Sequence, residues 1–128
     1  MRCDERGSVS ALVIGLAMSF IACAGLAVDG GRLITAKVRA SDQAENAART
    51  GAQALTNLRL GVPVIDQRKA LSIAGNHLKM LGASGFVEAS RLEVCVSVTE
   101  AVEMTLLSLV GVESRRATSR RCARPIME

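Results

Sequence analysis

The chain has 128 residues, 16 Lys and Arg against 12 Asp and Glu, and a formal charge of +4, with its apolar residues crowded into the first quarter. There is no Trp or Tyr and only two Phe, Phe20 and Phe86, which argues against an aromatic-lined ligand pocket and for small side chains packed closely between helices. Five of the basic residues, Arg115, Arg116, Arg120, Arg121 and Arg124, sit near the C-terminal end. Without interleaved aromatics this is a local property of the tail, and no nucleic-acid partner is expected.

Residues 1–7 form a short charged head. From Ser8 to Val28 the run SVSALVIGLAMSFIACAGLAV carries no charged side chain; at 1.5 Å per residue it spans roughly 30 Å, the hydrocarbon thickness of a bilayer. The remainder is too small and too poor in aromatics to cover such a helix on all sides, so 8–28 reads as a transmembrane helix with membrane lipid as its first partner. One rival is a cleavable secretory signal, since Ala22-Cys23-Ala24 matches a small-x-small cleavage pattern behind Arg2 and Arg6, although the run exceeds a usual h-region. The other is a lipid on Cys23, for which Phe20-Ile21-Ala22 is a poor approach. Charge leaves the orientation open, because Arg2 and Arg6 face Arg32, Lys37 and Arg39 across the span.

Asp29, Gly30, Gly31 and Arg32 mark the membrane exit. Two Gly in a helix interior cost about 1 kcal/mol each relative to Ala, so Gly30-Gly31 is expected to be a hinge or a thin place where a neighbouring helix packs. Beyond it the Pro-free, Ala-rich stretch predicts that the helix continues over 29–60, to about Arg59. Ala40, Ala44, Ala47, Gly51, Ala54 and Leu58 recur every three or four residues and form one stripe of small side chains. That stripe is a seat for the chain's own second helix or for a neighbouring subunit. Glu45 stands four before Arg49, the favourable order for a helix-surface ion pair.

Residues 61–128 read as a small α+β domain. Pro63 stops the first helix, Asp66 fits an N-cap, and QRKALSIAGNHLKML forms a second helix with Ala70, Leu71, Ala74, Leu78 and Leu81 inward, closed by Gly82. His77 stands there without a partner at a telling spacing. In Arg91 to Thr99 apolar residues alternate, predicting a strand with Leu92, Val94, Val96 and Val98 covered. AVEMTLLSLVGV then makes a short apolar helix or turn that dips toward the membrane or caps the sheet, and Glu113–Ala123 is a second strand. Pairing these strands with Cys95 opposite Cys122 also sets Glu93 opposite Arg124 and Thr99 opposite Thr118, both favourable pairs. A Cys95–Cys122 disulfide is therefore expected; the alternative is two free thiols.

Neither an enzyme nor a cofactor is expected. Cys3, Cys23, Cys95 and Cys122 include no CxxC and no His at ligand spacing, so no metal site is expected. There is no nucleophile elbow, no phosphate-binding Gly loop and no carboxylate pair with a base, and no small-molecule substrate follows from the sequence. A secreted or lipid-anchored extracytoplasmic binding module, using its C-terminal arginines on an acidic partner, is the alternative function.

The order DERGSVS, a hydrophobic helix leaving through AGLAVDGGR, an Ala-rich helix with ENAARTGAQAL and a small α+β tail resembles the actinobacterial TadE/TadG-like proteins of the Tad (Flp, type IVb) pilus. The resemblance implies a pilin-like fold: a long N-terminal helix, half transmembrane and half soluble, a short second helix and a small C-terminal β-hairpin. It also implies a non-enzymatic minor component in the cytoplasmic membrane, N-terminus inside and C-terminal domain outside, meeting other pilus subunits through helix packing. In pilin-like proteins a peptidase cuts after a Gly ahead of the hydrophobic run, and Gly7-Ser8 stands at that place. Pilins carry Glu at the fifth mature position, where this sequence has Leu12; losing that carboxylate favours a minor or assembly component over a major subunit.

Overall fold

The computed structural model describes residues 6–56, 61 and 63–126. Cys3 and Leu58, both singled out above, lie outside the described residues. Helix α1 runs over Arg6–Ala52, 47 residues and ~70 Å long. Two-residue strands β1 (Leu55–Thr56) and β2 (Val64–Ile65) follow, then α2 (Gln67–Met80), β3 (Ser84–Ala89), β4 (Val94–Glu103), a 3₁₀ turn (Leu107–Val110) and β5 (Ser114–Ala123). β1 and β2 pair with each other, and β3, β4 and β5 form an antiparallel sheet in that order. The class is α+β.

Helix α1 ends at Ala52, not near Arg59. Past that point the Ala54 N–H bonds to the Gly51 carbonyl, Asp66 donates its N–H to the Ala54 carbonyl at 2.8 Å, and Leu55 and Thr56 pair with Ile65 and Val64. This arrangement buries Ala54 and Ile65, and tertiary burial outweighs the good helix propensity of Gln53, Ala54 and Leu55. Ala54 thus leaves the helical stripe but stays in the core.

Helix α2 starts where Asp66 accepts the Arg68 and Lys69 N–H groups and is closed after Met80 by Gly82, whose φ of +64° lets the next N–H, that of Ala83, turn back to the Leu78 carbonyl at 3.0 Å. Its buried stripe is Ala70, Ala74 and Leu78. Leu71 and Leu81, expected inward, are exposed, because α2 lies close against α1 and covers only a narrow band. Gly51 permits that approach: a Cβ there would stand 3.1 Å from the Ala74 Cβ and 3.2 Å from the Ala70 carbonyl oxygen.

Strand β3 adds a third member to the expected hairpin. Its residues are mostly exposed and show no apolar alternation, so periodicity gives no sign of it. Gly85 lets β3 pack closely under α2, since a Cβ there would lie 2.8 Å from the Ser97 carbonyl oxygen and 2.9 Å from Leu78 Cδ1. In β4, Val94, Val96 and Val98 are buried; Leu92, expected on the covered face, precedes the strand and is exposed.

The core is one cluster that joins Ala40, Ala44, Ala47, Ala48 and Ala52 of α1 to Ala70, Ala74 and Leu78 of α2 and to Val94, Val96 and Val98 of β4. The small-residue stripe is therefore filled by the chain's own sheet and second helix and is not left open for a neighbouring subunit. Ala44 is fully buried, and Ala44→Leu is expected to destabilise the fold by about 1–3 kcal/mol through overpacking. A lowered urea midpoint reads this out; an unchanged midpoint would mean that the stripe faces open space.

Candidate functional site

Along α1 the environment changes at one place. From Gly7 to Val28 every residue is exposed except Gly25, and the exposed side chains include Leu12, Ile14, Leu16, Phe20, Ile21 and Leu26. From Ala36 onward the same helix supplies core residues. The boundary falls at Asp29-Gly30-Gly31-Arg32, the expected membrane exit.

Asp29 is not a solvated boundary marker. It is 1% exposed, and its carboxylate accepts three backbone N–H groups: Oδ1 from Thr105 at 3.0 Å, and Oδ2 from Leu106 at 2.9 Å and Leu107 at 2.8 Å. These are the first N–H groups of the 3₁₀ turn between β4 and β5, donors with no partner within the turn itself. The Leu107 N–H, the Thr105 N–H and then the Leu106 N–H hold the Asp29 carboxyl below its ordinary value, with Arg32 assisting and burial opposing. Arg32, one turn along the same face, donates to the Thr105 hydroxyl.

One turn toward the N-terminus, Leu106 lies over Gly25. A Cβ on Gly25 would stand 2.8 Å from Leu106 Cδ1 and 3.1 Å from its Cβ, so any side chain at Gly25 would make Leu106 shift to keep the turn seated. Gly25, Asp29 and Arg32 together form a docking face for the turn. Sequence reasoning missed this role because a lone carboxylate beside an apolar run reads as a water boundary. The signal that could have found it is an Asp and an Arg three apart, with a distant uncharged Thr-Leu-Leu-Ser segment in need of an acceptor.

Gly30 and Gly31 sit between the docking residues, inside a helix that continues without a break, and a Cβ on either meets nothing within 4 Å. Neither a break nor a close approach occurs there within the chain. Replacing both with Ala is therefore expected to stabilise the protein by roughly 0.5–1 kcal/mol per site from propensity alone, read as a raised melting temperature. A lowered one would show that their backbone freedom is used.

Cys95 and Cys122, opposite each other across β4 and β5, are joined by a disulfide, with Cα atoms 4.0 Å apart. The same register brings the Thr99 and Thr118 hydroxyls to 3.0 Å and Arg124 to 3.2 Å from Glu93. Arg120 pairs with Glu88 of β3 at 2.6 Å, and Arg121 donates to the Ser41 hydroxyl of α1. The C-terminal arginines are thus partly spent on the chain's own surface. Gly7 and Ser8 lie exposed in the first turns of α1, and Cys23 is a free, exposed thiol in the uncharged run. Among the described residues no group of three or more His, Cys, Asp or Glu is placed to hold a metal. A groove of about 740 Å³ between the end of α1 and the end of β5 is lined in part by Glu45 and Arg49, which pair with each other.

The family model "Putative Flp pilus-assembly TadE/G-like" matches residues 7–54, a segment that holds the uncharged run, the whole Asp29–Arg32 docking motif and the small-residue stripe as far as Ala54. No curated protein and no solved structure matches the chain.

Proposed function

We propose that this chain, TadE/G-like over residues 7–54, is a non-enzymatic, single-pass membrane component of a Tad-type pilus or a related secretion apparatus. In this reading residues 1–7 are a cytoplasmic head, 8–28 span the cytoplasmic membrane, and the fold built from 29–128 stands on the outer side. The observation that carries it is the division of α1. Its first half presents large apolar side chains in every direction with no protein to cover them, and its second half is the spine of an α+β domain. An apolar helix exposed all round belongs in lipid or against other apolar helices.

The outward orientation is supported by the Cys95–Cys122 disulfide, since such bonds persist in oxidising compartments. With the small-residue stripe already occupied, the lipid-facing residues of 8–28 are the surface left for helix packing against other pilus subunits. Gly7-Ser8 is the proposed cleavage point for a leader peptidase, and Leu12 in place of the pilin Glu fits a minor or assembly component.

The test is a clean deletion of the gene, scored for piliation, together with co-purification of the tagged protein from detergent-extracted membranes. Loss of pili and recovery of pilus assembly proteins are expected. Normal piliation with no such partners would reject the reading. Intact mass of the extracted protein decides processing: a product beginning at Met1 or Ser8 fits the membrane-helix reading, with Met1 rejecting cleavage at Gly7, whereas one beginning at Cys23 or Gly25 would support the lipid-anchored or secreted alternative.

A further inference from the structure

The 3₁₀ turn is built in an unusual way for a surface connection. Residues Thr105–Val112, TLLSLVGV, contain no charged side chain, yet Leu109 is 81% and Val110 74% exposed. The turn docks on α1 not at the centre of the folded domain but at Gly25, four residues and ~6 Å to the bilayer side of Asp29.

Its polar groups are extensively paired within the chain. Asp29 takes the Thr105, Leu106 and Leu107 N–H groups. Leu109, Gly111 and Val112 donate their N–H groups to Leu106, Ser108 and Leu107, and the Ser108 hydroxyl donates to the Thr105 carbonyl. Pairing of this kind removes the main obstacle to placing a non-helical backbone against lipid, where water cannot supply partners. After the turn, beyond the exposed Glu113 and Ser114, come the exposed Arg115 and Arg116, two cations against one carboxylate to meet acidic headgroups while the leucines lie deeper.

We infer that the Thr105–Val112 turn is a second membrane contact, with Leu109 and Val110 inserted at the acyl–headgroup boundary of the leaflet from which α1 emerges. The contact is continuous with the lipid-facing surface of α1, because Leu106 rests on that helix inside the proposed span. It would hold the outer domain upright against the membrane at two points rather than one. The inference rests on the reading of 8–28 as a transmembrane segment.

The chain has no Trp, so a single Trp reports its own position. Full-length Leu109→Trp, reconstituted into phosphatidylcholine–phosphatidylglycerol vesicles containing brominated acyl chains, is expected to lose emission at least half as strongly as Leu16→Trp in mid-span, and to be protected from aqueous iodide. Val110→Trp should behave alike, while Phe86→Trp on the outer sheet should show the reverse. Quenching of Leu109→Trp by iodide and not by brominated lipid would overturn the inference. Protection from both quenchers would overturn it too, by assigning the turn to a contact with a neighbouring subunit. If Leu16→Trp itself escaped the brominated lipid, the transmembrane reading would fail and the inference with it; if Leu16→Trp alone were quenched, only the inference would fall.

Discussion

Asp29→Ala is expected to free the 3₁₀ turn from α1 while leaving the Ala-rich core intact. Three N–H groups lose a charged acceptor at once, and hydrogen bonds to an ionised group are stronger than those between neutral groups. Backbone amide exchange at Leu106 and Leu107 should rise by about tenfold or more, because local opening no longer has to break these bonds. Asp29→Asn is the sharper probe. Asn has one acceptor oxygen where Asp29 uses both, so its NH₂ group would face a donor at Thr105 or at the Leu106–Leu107 pair.

The pH dependence follows with a definite sign. The carboxyl titrates lower in the fold than in the unfolded chain, so its stabilisation is fully present above the unfolded pKa and is lost as pH falls through the folded one. The turn should therefore loosen in acid in the wild type and show no such transition in Asp29→Ala. Equal exchange at Leu106 and Leu107 in both proteins at neutral pH would mean that the turn is held by Leu106 on Gly25 and by Arg32 on the Thr105 hydroxyl without Asp29.

Reduction of the Cys95–Cys122 bond is expected to act on the whole fold instead. The two cysteines are 27 residues apart in sequence, and closing a loop of that size contributes about 2–4 kcal/mol, mainly by restricting the unfolded chain. A Cys95→Ser/Cys122→Ser variant and the reduced wild type should share a lowered urea midpoint. The turn lies inside the closed loop, so its docking weakens as a consequence and not as the cause. A midpoint indifferent to reductant would show that the bond adds no constraint, leaving the β4–β5 register to Thr99–Thr118, Glu93–Arg124 and the buried valines. The two perturbations separate cleanly: one is local and pH-dependent, the other global and redox-dependent.

Periodicity made much of the architecture legible. An uncharged run of bilayer length, the three-and-four spacing of Ala40, Ala44 and Ala47, and the alternation through Val94, Val96 and Val98 each specify a helix or strand by geometry alone. The Asp66 cap and the Gly82 stop were equally readable, because each answers a local need of the helix end. What the sequence concealed depended on distant partners. The stop of α1 at Ala52 comes from pairing with Val64 and Ile65, and β3 exists because Gly85 fits under Leu78, not because its own pattern is strand-like. Asp29 is the strongest case: its neighbours mark it as a boundary residue, and its use is decided by backbone N–H groups 76 to 78 positions away.

The central claim is that the bilayer lies over residues 8–28 with the folded domain outside, and thiol labelling in intact cells tests it most directly. In a Cys3→Ser/Cys23→Ser background, Met80→Cys places a thiol at an 85% exposed position at the end of α2, far from the disulfide in sequence. A membrane-impermeant maleimide should label it without lysis, whereas Ser8→Cys should react only after the cells are opened. Labelling of Met80→Cys only after lysis, or of both variants in intact cells, would contradict the account.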